Sequence, residues 1–417
     1  MPLDLSELRG KRITELVSTA RSLGIDNAAG LKKQELIFEI VRKRPGGSSG
    51  AHGEGVLETL PDGFGFLRSP DCNYLPGPDD IYVSPSQIRL FNLRTGDLVY
   101  GRVRAPKEGE RYFALIRIEK VNGRSPDEER DKILFDNFAP IHPQRVIAFD
   151  SPDVRLRLIE RLLPLGFGQR IAVLTPPRAG RTTLLRDLCR AIHAANPDTI
   201  MMVLLVDERP EEVSAMQEAV TAEVLSSTFD EPPQRHVQVS DMVIERAKRL
   251  VEQGRDVVLL VDSLSRLARA HNATAPTGGR ELRGGVDIAA IHKARRFFGA
   301  GRSLDGGGSL TMVATVLTDT GHDVDEVLLQ EVQGTANAEI RLDAELVADD
   351  LWPGIDVRAT FTRNVARLIG AEDAETMRRF RQSLSTDRRA ALEQVLATLT
   401  GAQGLESLDY TGLDIAG

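Results

Sequence analysis

Cysteine is nearly absent from this 417-residue chain, which holds only Cys72 and Cys189, far apart in sequence. Two isolated cysteines exclude a disulfide framework and a cysteine-based metal cluster. Aromatic residues are also scarce, at 5% with a single tryptophan, Trp352, so any aromatic binding surface has to be local. No apolar run reaches the roughly 18–20 residues that span a bilayer. The opening MPLDLSELRGKR lacks the apolar core of a signal peptide. The expectation is a cytoplasmic protein with no membrane partner. An excess of basic charge is missing too. A net charge of −8 argues against indiscriminate polyanion binding, so a nucleic-acid site must be a confined basic or aromatic patch.

What is present divides the chain. Its length and 41% hydrophobic content suit two or three domains. Residues 1–44 carry short helical periodicities (Leu8, Ile13, Leu16, Val17, Leu23, then Leu31, Leu36, Ile37, Ile40) and predict a small helical bundle. A Gly- and Ser-rich stretch, 45–54, reads as a linker. Over 55–122, alternating apolar residues punctuated by DG, GP, TGD and KEGE turns predict a small antiparallel barrel. A polar connector, 123–150, leads to 151–417. There strand-like runs (IAVLT, MMVLLVD, DVVLLVD, LTMVATVL) alternate with helical segments, the pattern of a parallel α/β sheet.

AVLTPPRAGRTT (172–183) couples a buried-strand run to a phosphate-loop pattern. Pro177 to Thr183 form the expected nucleotide cradle: Pro177, Arg178, Ala179, Gly180, Arg181, Thr182 and Thr183. Gly180 lets backbone approach phosphate, the following helix offers its N-terminus, and Thr182 can place a hydroxyl on Mg²⁺. The match to GxxxxGK[ST] is incomplete, with Thr175 at the first glycine and Arg181 at the lysine. Two further apolar runs end in acids, Asp207-Glu208-Arg209 and Asp262. In an open parallel sheet, ligands bind beyond the carboxyl ends of the strands. A strand-end carboxylate there can orient an attacking water or hold Mg²⁺. Each acid alone reads equally as a helix cap. The ordered set of loop, acid and second acid is what points to a P-loop NTPase.

In DGFGFLRS, Phe64, Phe66 and Arg68 are spaced by two, so on a strand they share one face. Tyr82, Arg111 and Tyr112 add rings and cations from neighbouring strands. This is the composition of a sequence-tolerant single-strand binder, in which stacking on each base contributes about 1–3 kcal/mol; the competing role for each Phe is to fill the barrel core. The glycine-rich PTGGRELRGG contributes Arg280 and Gly284 as candidate RNA contacts. His292, Lys293, Arg295 and Arg296 gather on one helical segment, as an anion site or a solvated face.

These residues resemble the bacterial transcription termination factor Rho family, ring-shaped hexameric RNA-dependent ATPases. The resemblance runs from about residue 4 to about 370 and is densest in GVLE, DGFGFLRS, GPDDIYVSPSQIR, FNLRTGD, PPRAG, VDERPEEV, STFDEP, RHVQV, RRFFGA and GGSLT. It implies a multidomain fold: a helical bundle, an OB-like barrel and a RecA-like P-loop ATPase domain. It further implies a primary RNA site at Phe64, Phe66, Arg68, Tyr82, Glu110, Arg111 and Tyr112. Glu208 becomes the catalytic carboxylate and Asp262 the magnesium-linked acid. Arg209 and Arg363 become arginines completing a neighbour's ATP site, and Trp352 an aromatic stacked on adenine. A homohexamer and RNA polymerase are the implied partners.

Three departures separate the chain from that pattern. Arg181 replaces the family's lysine, and a planar guanidinium is no conservative substitute at a tight phosphate site. Asp323, in DTGHDVDEV, stands where the family carries a basic residue. Asp343, Glu345, Asp349 and Asp350 occupy a usually basic stretch. The implied activity is an RNA-dependent ATPase that translocates on RNA and terminates transcription. The alternative is an ATPase-impaired paralogue serving as an RNA-binding regulatory subunit or competitor.

Overall fold

The computed structural model describes residues 5–43, 51–107, 109–149, 151–276, 281–282 and 284–400. Two compact units emerge, one running to Phe135 and including residues 241–252, the other holding the remainder.

In the first unit, helices Leu5–Arg9, Ile13–Ser22 and Lys33–Lys43 precede five strands. These are β1 (Ala51–Thr59), β2 (Gly65–Arg68), β3 (Ile81–Val83), β4 (Leu98–Arg104) and β5 (Phe113–Val121), closed in the order β1-β2-β3-β5-β4. Closure removes the unpaired edges that an open sheet of this size would leave. Leu16, Leu36 and Ile40 of the helices share one core with Leu57, Ile81, Val103 and Phe113 of the barrel. The helices therefore cap the barrel rather than form a core of their own. A buried ion pair, Arg9 Nε to Asp79 Oδ2 at 3.0 Å, ties the first helix to the turn before β3.

The expected linker, 45–54, overlaps β1, which already pairs Ala51 with Val103 and Glu54 with Tyr100. Residues 44–50 lie outside the described residues. The inward positions of AHGE are Ala51 and Gly53, too small to signal a strand by hydrophobicity. A side chain at Gly53 would place its Cβ 2.5 Å from Ile81 Cδ1, so a larger residue here would require the Ile81 side chain to shift.

The second unit is built on a sheet of nine strands. They are β6 (Pro140–Ile141), β7 (Arg170–Thr175), β8 (Ile200–Glu208), β9 (Glu223–Thr228), β10 (Asp256–Asp262), β13 (Arg302–Leu304), β14 (Ser309–Leu317), β15 (Ala338–Arg341) and β16 (Phe361–Thr362). Between them in sequence, β11 (Glu281–Leu282) and β12 (Val286–Asp287) make a separate two-stranded ribbon. The order β15-β7-β14-β10-β8-β9 is parallel throughout, with β16 antiparallel at the edge. Strands covered on both faces read as continuous apolar runs, which is why β7, β8, β10 and β14 were legible. Val173, Val203, Leu260 and Val313 join Leu184 and Leu188 of helix Arg181–Ala195 in the core. Helix Arg388–Thr400 adds Ala391, Leu392 and Val395 to it.

Candidate nucleotide and RNA sites

At the carboxyl end of β7 the chain turns through Pro176 to Ala179 and enters helix Arg181–Ala195, with Gly180 as N-cap. Gly180 adopts φ +80°, a conformation that favours glycine. A Cβ there would fall 1.8 Å from Trp352 Cη2. The indole thus rests on the phosphate-loop glycine, at the helix N-terminus where backbone N–H groups and the helix dipole favour an anion. Pro177 and Arg178 are exposed on the loop and Ala179 is buried under it, while Arg181, Thr182 and Thr183 are half-buried on the first helical turn.

Strand register delivers the acids. β10 pairs with β8 so that Asp262 lies opposite Leu205, bringing the two strand ends together. Asp207 takes φ +56° at an irregularity between Val206 and Glu208, and Glu208 is buried, 6% exposed. Arg181 lies between these strand ends. Its Nη2 donates to Glu208 Oε2 at 3.1 Å, and its Nε lies 3.1 Å from Asp262 Oδ1. Asp262 is fully buried, accepts from Thr315 Oγ1 at 2.9 Å, and has Oδ2 3.4 Å from Thr182 Oγ1. Arg266 Nη1 adds a second guanidinium to Glu208 Oε2 at 2.9 Å.

Of the residues expected here, the structure gathers Arg181, Thr182, Glu208 and Asp262 into one network, with Trp352 on Gly180. The side chains of Arg209 and Arg363 stand outside it, although the Arg209 backbone N–H donates to Glu208 Oε1 at 3.2 Å. Arg209 is exposed at the cap of helix Pro210–Ala219, and Arg363, past the edge strand β16, donates to the Gln333 carbonyl at 3.2 Å. Arg266 and Thr315 were not singled out by sequence. Only strand register and the start of helix Leu264–Ala273 turn them inward.

On the barrel, Phe66 lies opposite Tyr82 across β2 and β3. Four rings cluster together: Phe64 to Phe66 at 5.8 Å, Phe64 to Tyr82 at 5.7 Å, and Phe66 to Tyr112 at 4.7 Å between centroids. Phe66 itself is buried, against the expectation of an open ring, while Phe64 and Tyr82 are half-buried and Tyr112 is exposed. Beside the cluster opens a cavity of about 740 Å³, lined by Tyr82, Gln87, Arg104, Glu110, Arg111 and Tyr112. Arg68 departs from the expectation of an open cation. It is 5% exposed, its guanidinium carbon 5.0 Å over the Phe66 ring, and it pairs with both Glu58 and Asp80. The period-two spacing gave its face correctly but could not show the two acids waiting there. Asp80, which the sequence did not flag, is held up to about 6 by burial, opposed by the Arg68 charge.

Arg280 lies outside the described residues. Gly284 sits in the turn between β11 and β12 at φ +81°, and the Asp323 carboxylate abuts it, 1.8 Å from where a Cβ would stand. Asp323 is exposed and opens a helix whose first turn also holds Asp325 and Glu326. Asp325 is buried and paired with Arg269. Among the described residues no group of three or more His, Cys, Asp or Glu is placed to hold a metal, and no helix is long and apolar enough to cross a membrane.

A closed barrel with an aromatic cluster, capped by helices, and a parallel sheet whose P-loop faces two strand-end acids define the class: a chain that carries both an OB-like RNA-binding module and a P-loop ATPase. Family models agree along the chain. The Rho termination factor N-terminal domain matches residues 7–45, its RNA-binding domain 53–127, and the ATP synthase alpha/beta family nucleotide-binding domain 155–362. The chain is 48% identical to transcription termination factor Rho of Salmonella typhimurium over 380 residues, covering 90% of this chain and 91% of that protein. It is 47% identical to transcription termination factor Rho of Pseudomonas fluorescens biotype C over 403 residues, 95% and 96% of the two chains. The fold also matches the assembled ATPase EscN of the enteropathogenic E. coli type III secretion system. There the TM-score is 0.50 at 22% identity, over 74% of this chain and 68% of that one. The chain belongs to the Rho termination factor family.

Proposed function

We propose that this protein is an ATP-dependent RNA translocase that terminates transcription, working in the cytoplasm as a homohexamer that engages RNA polymerase. The observation that carries the reading is the coexistence in one chain of a four-ring cluster on the barrel and the network joining Arg181, Glu208 and Asp262. Single-stranded RNA stacks on Phe64, Phe66, Tyr82 and Tyr112, with Arg111 near the phosphates. ATP occupies the cradle from Pro177 to Thr183, its base against Trp352. The guanidinium groups of Arg209 and Arg363, exposed and outside their own chain's network, serve the neighbouring subunit's site. Arg280 and Gly284 contact RNA within the ring. The donor set fits Mg²⁺, which is commonly held by one or two carboxylates and substrate phosphates: Thr182 Oγ1 and the buried Asp262 carboxylate would hold it beside the phosphates, where it would neutralise developing charge. Glu208 orients the attacking water.

A second reading, an ATPase-impaired paralogue that regulates or competes, draws on one observation. Glu208 and Asp262 are both engaged by Arg181, and Glu208 also by Arg266. Phosphate release measured with and without poly(C) tests the first reading: RNA-stimulated hydrolysis that Glu208→Gln abolishes is expected. RNA binding without hydrolysis in the wild type supports the second reading instead.

A further inference from the structure

Helices Ala371–Ser383 and Arg388–Thr400 close the described chain, and none of the nucleotide-network residues comes from them. Arg381, half-buried on the first of them, turns its guanidinium to backbone. Its Nη1 donates to the Leu162 carbonyl at 3.1 Å, at the end of helix Val154–Leu162, and its Nη2 donates to the Val357 carbonyl at 3.0 Å and to the Thr360 carbonyl. Arg358 answers in the opposite sense. Its Nη1 donates to the Leu384 and Ser385 carbonyls at 2.9 and 2.7 Å, where helix Ala371–Ser383 ends. The last carbonyls of a helix have no partner within it, and an arginine can satisfy them. Each segment thus carries the arginine that fixes the other's backbone. Beneath this exchange, Ile355 and Val357 share one core with Leu384, Leu392 and Val395.

The clasped loop, 353–362, runs from Trp352 to Arg363. Near one end the Gly354 carbonyl accepts from the Asp343 N–H at 2.7 Å, and past the other the Arg363 N–H donates to the Asn337 carbonyl at 2.8 Å. Sheet pairing adds only the two residues of β16. We propose that Arg358 and Arg381 are positioning residues for ATP turnover: their reciprocal clasp fixes this loop, and so holds Trp352 to the nucleotide base and Arg363 toward the neighbouring subunit. This deepens the ATPase reading and rests on it. Charge-assisted hydrogen bonds are about twice as strong as neutral ones. Because these fall on carbonyls, they set the path of the chain rather than the direction of one side chain. A misplacement of about 1 Å by a distant substitution can cost about 10²-fold in rate. The two ends of the loop do different work, so loosening it separates base affinity from phosphate affinity.

The test is isothermal titration calorimetry of the full chain with ATP and with inorganic tripolyphosphate, which carries the phosphates without a base, at a temperature where circular dichroism shows every variant folded. Arg358→Ala and Arg381→Lys, the latter keeping the charge but not the planar fork, are both expected to weaken ATP binding by about tenfold, the low end of what one stacked base contributes. Tripolyphosphate binding should stay at the wild-type value, and kcat at saturating ATP and RNA should fall as Arg363 loses its place. Arg389→Ala, which removes the exposed pair with Asp349 from the second helix, should change none of these. If ATP and tripolyphosphate affinities fall in parallel, the clasp only supports the fold and the inference fails. It fails equally if both variants bind ATP as tightly as the wild type. A wild type that binds no ATP overturns the nucleotide reading, and this inference with it.

Discussion

Arg181 Nη2 donates to Glu208 Oε2 across 3.1 Å, joining the cation expected to hold nucleotide phosphate to the carboxylate expected to orient water. The same guanidinium reaches Asp262 Oδ1 at 3.1 Å. A phosphate entering the loop competes with both carboxylates for Arg181. Catalysis then requires Arg181 and Glu208 to part, while Arg266 keeps its hold on Glu208 at 2.9 Å. Nucleotide binding is expected to survive this competition, because the loop's backbone N–H groups remain available, and turnover is the step expected to slow.

Gly180 and Trp352 supply a probe of that binding. Since Trp352 is the only tryptophan, its emission reports the indole against the phosphate loop without interference. ATP or ADP titration is expected to shift or quench it in the wild type. Gly180→Ala, which brings a Cβ to 1.8 Å from the ring at a strained φ, is expected to displace the indole and abolish the response. Wild-type-like titration of Gly180→Ala would contradict the contact.

Phe64 and Arg68 should separate binding from folding. Phe64→Ala removes one half-buried ring and is expected to weaken single-stranded RNA binding by about 1–3 kcal/mol with little change in stability. Arg68→Ala leaves Glu58 and Asp80 without their shared counter-charge. Breaking a buried pair this way costs about 3–5 kcal/mol, so its main effect should appear in urea unfolding. RNA titration and chemical denaturation of both variants check the division.

Asp80 gives the barrel a pH signature. Burial holds its pKa at about 6, above the ordinary 3.8. The folded state therefore binds the proton more tightly than the unfolded chain, and this residue's contribution to stability rises as pH falls from about 6 toward 4. Relative to Asp80→Asn, the wild type should gain stability over that window. Parallel pH profiles of melting temperature for the two proteins would remove the assignment.

Asp323 places a carboxylate on Gly284, beside the ribbon expected to touch RNA, in a helix start that also holds Asp325 and Glu326. Like charge near RNA phosphate is repulsive. Asp323→Lys is expected to raise RNA stimulation of ATP hydrolysis at matched salt. An unchanged or lower stimulation would assign the acid another role.

The architecture was legible because its signals are strong. Long apolar strands ending in acids fix a parallel sheet, and DGFGFLRS brings Phe64 and Phe66 together, though with Phe66 and Arg68 buried. Side-chain partners were not legible, for they depend on register. Nothing local in the sequence says that Asp80 meets Arg68, that Arg266 meets Glu208, or that Trp352 comes to rest on Gly180 from 172 residues away. The start of β1 was hidden for a different reason, since Ala51 and Gly53 fill a crowded interior with almost no side chain.

The most direct test of the account is steady-state ATP hydrolysis, with and without saturating RNA, for the wild type and Arg181→Lys. The account predicts RNA-stimulated but slow wild-type turnover. In Arg181→Lys it predicts a kcat higher by about 10²–10³, the scale of one well-aimed transition-state donor, with nucleotide affinity from Trp352 fluorescence nearly unchanged. Wild-type turnover already at about 1–100 s⁻¹, with no gain in the lysine variant, would contradict it.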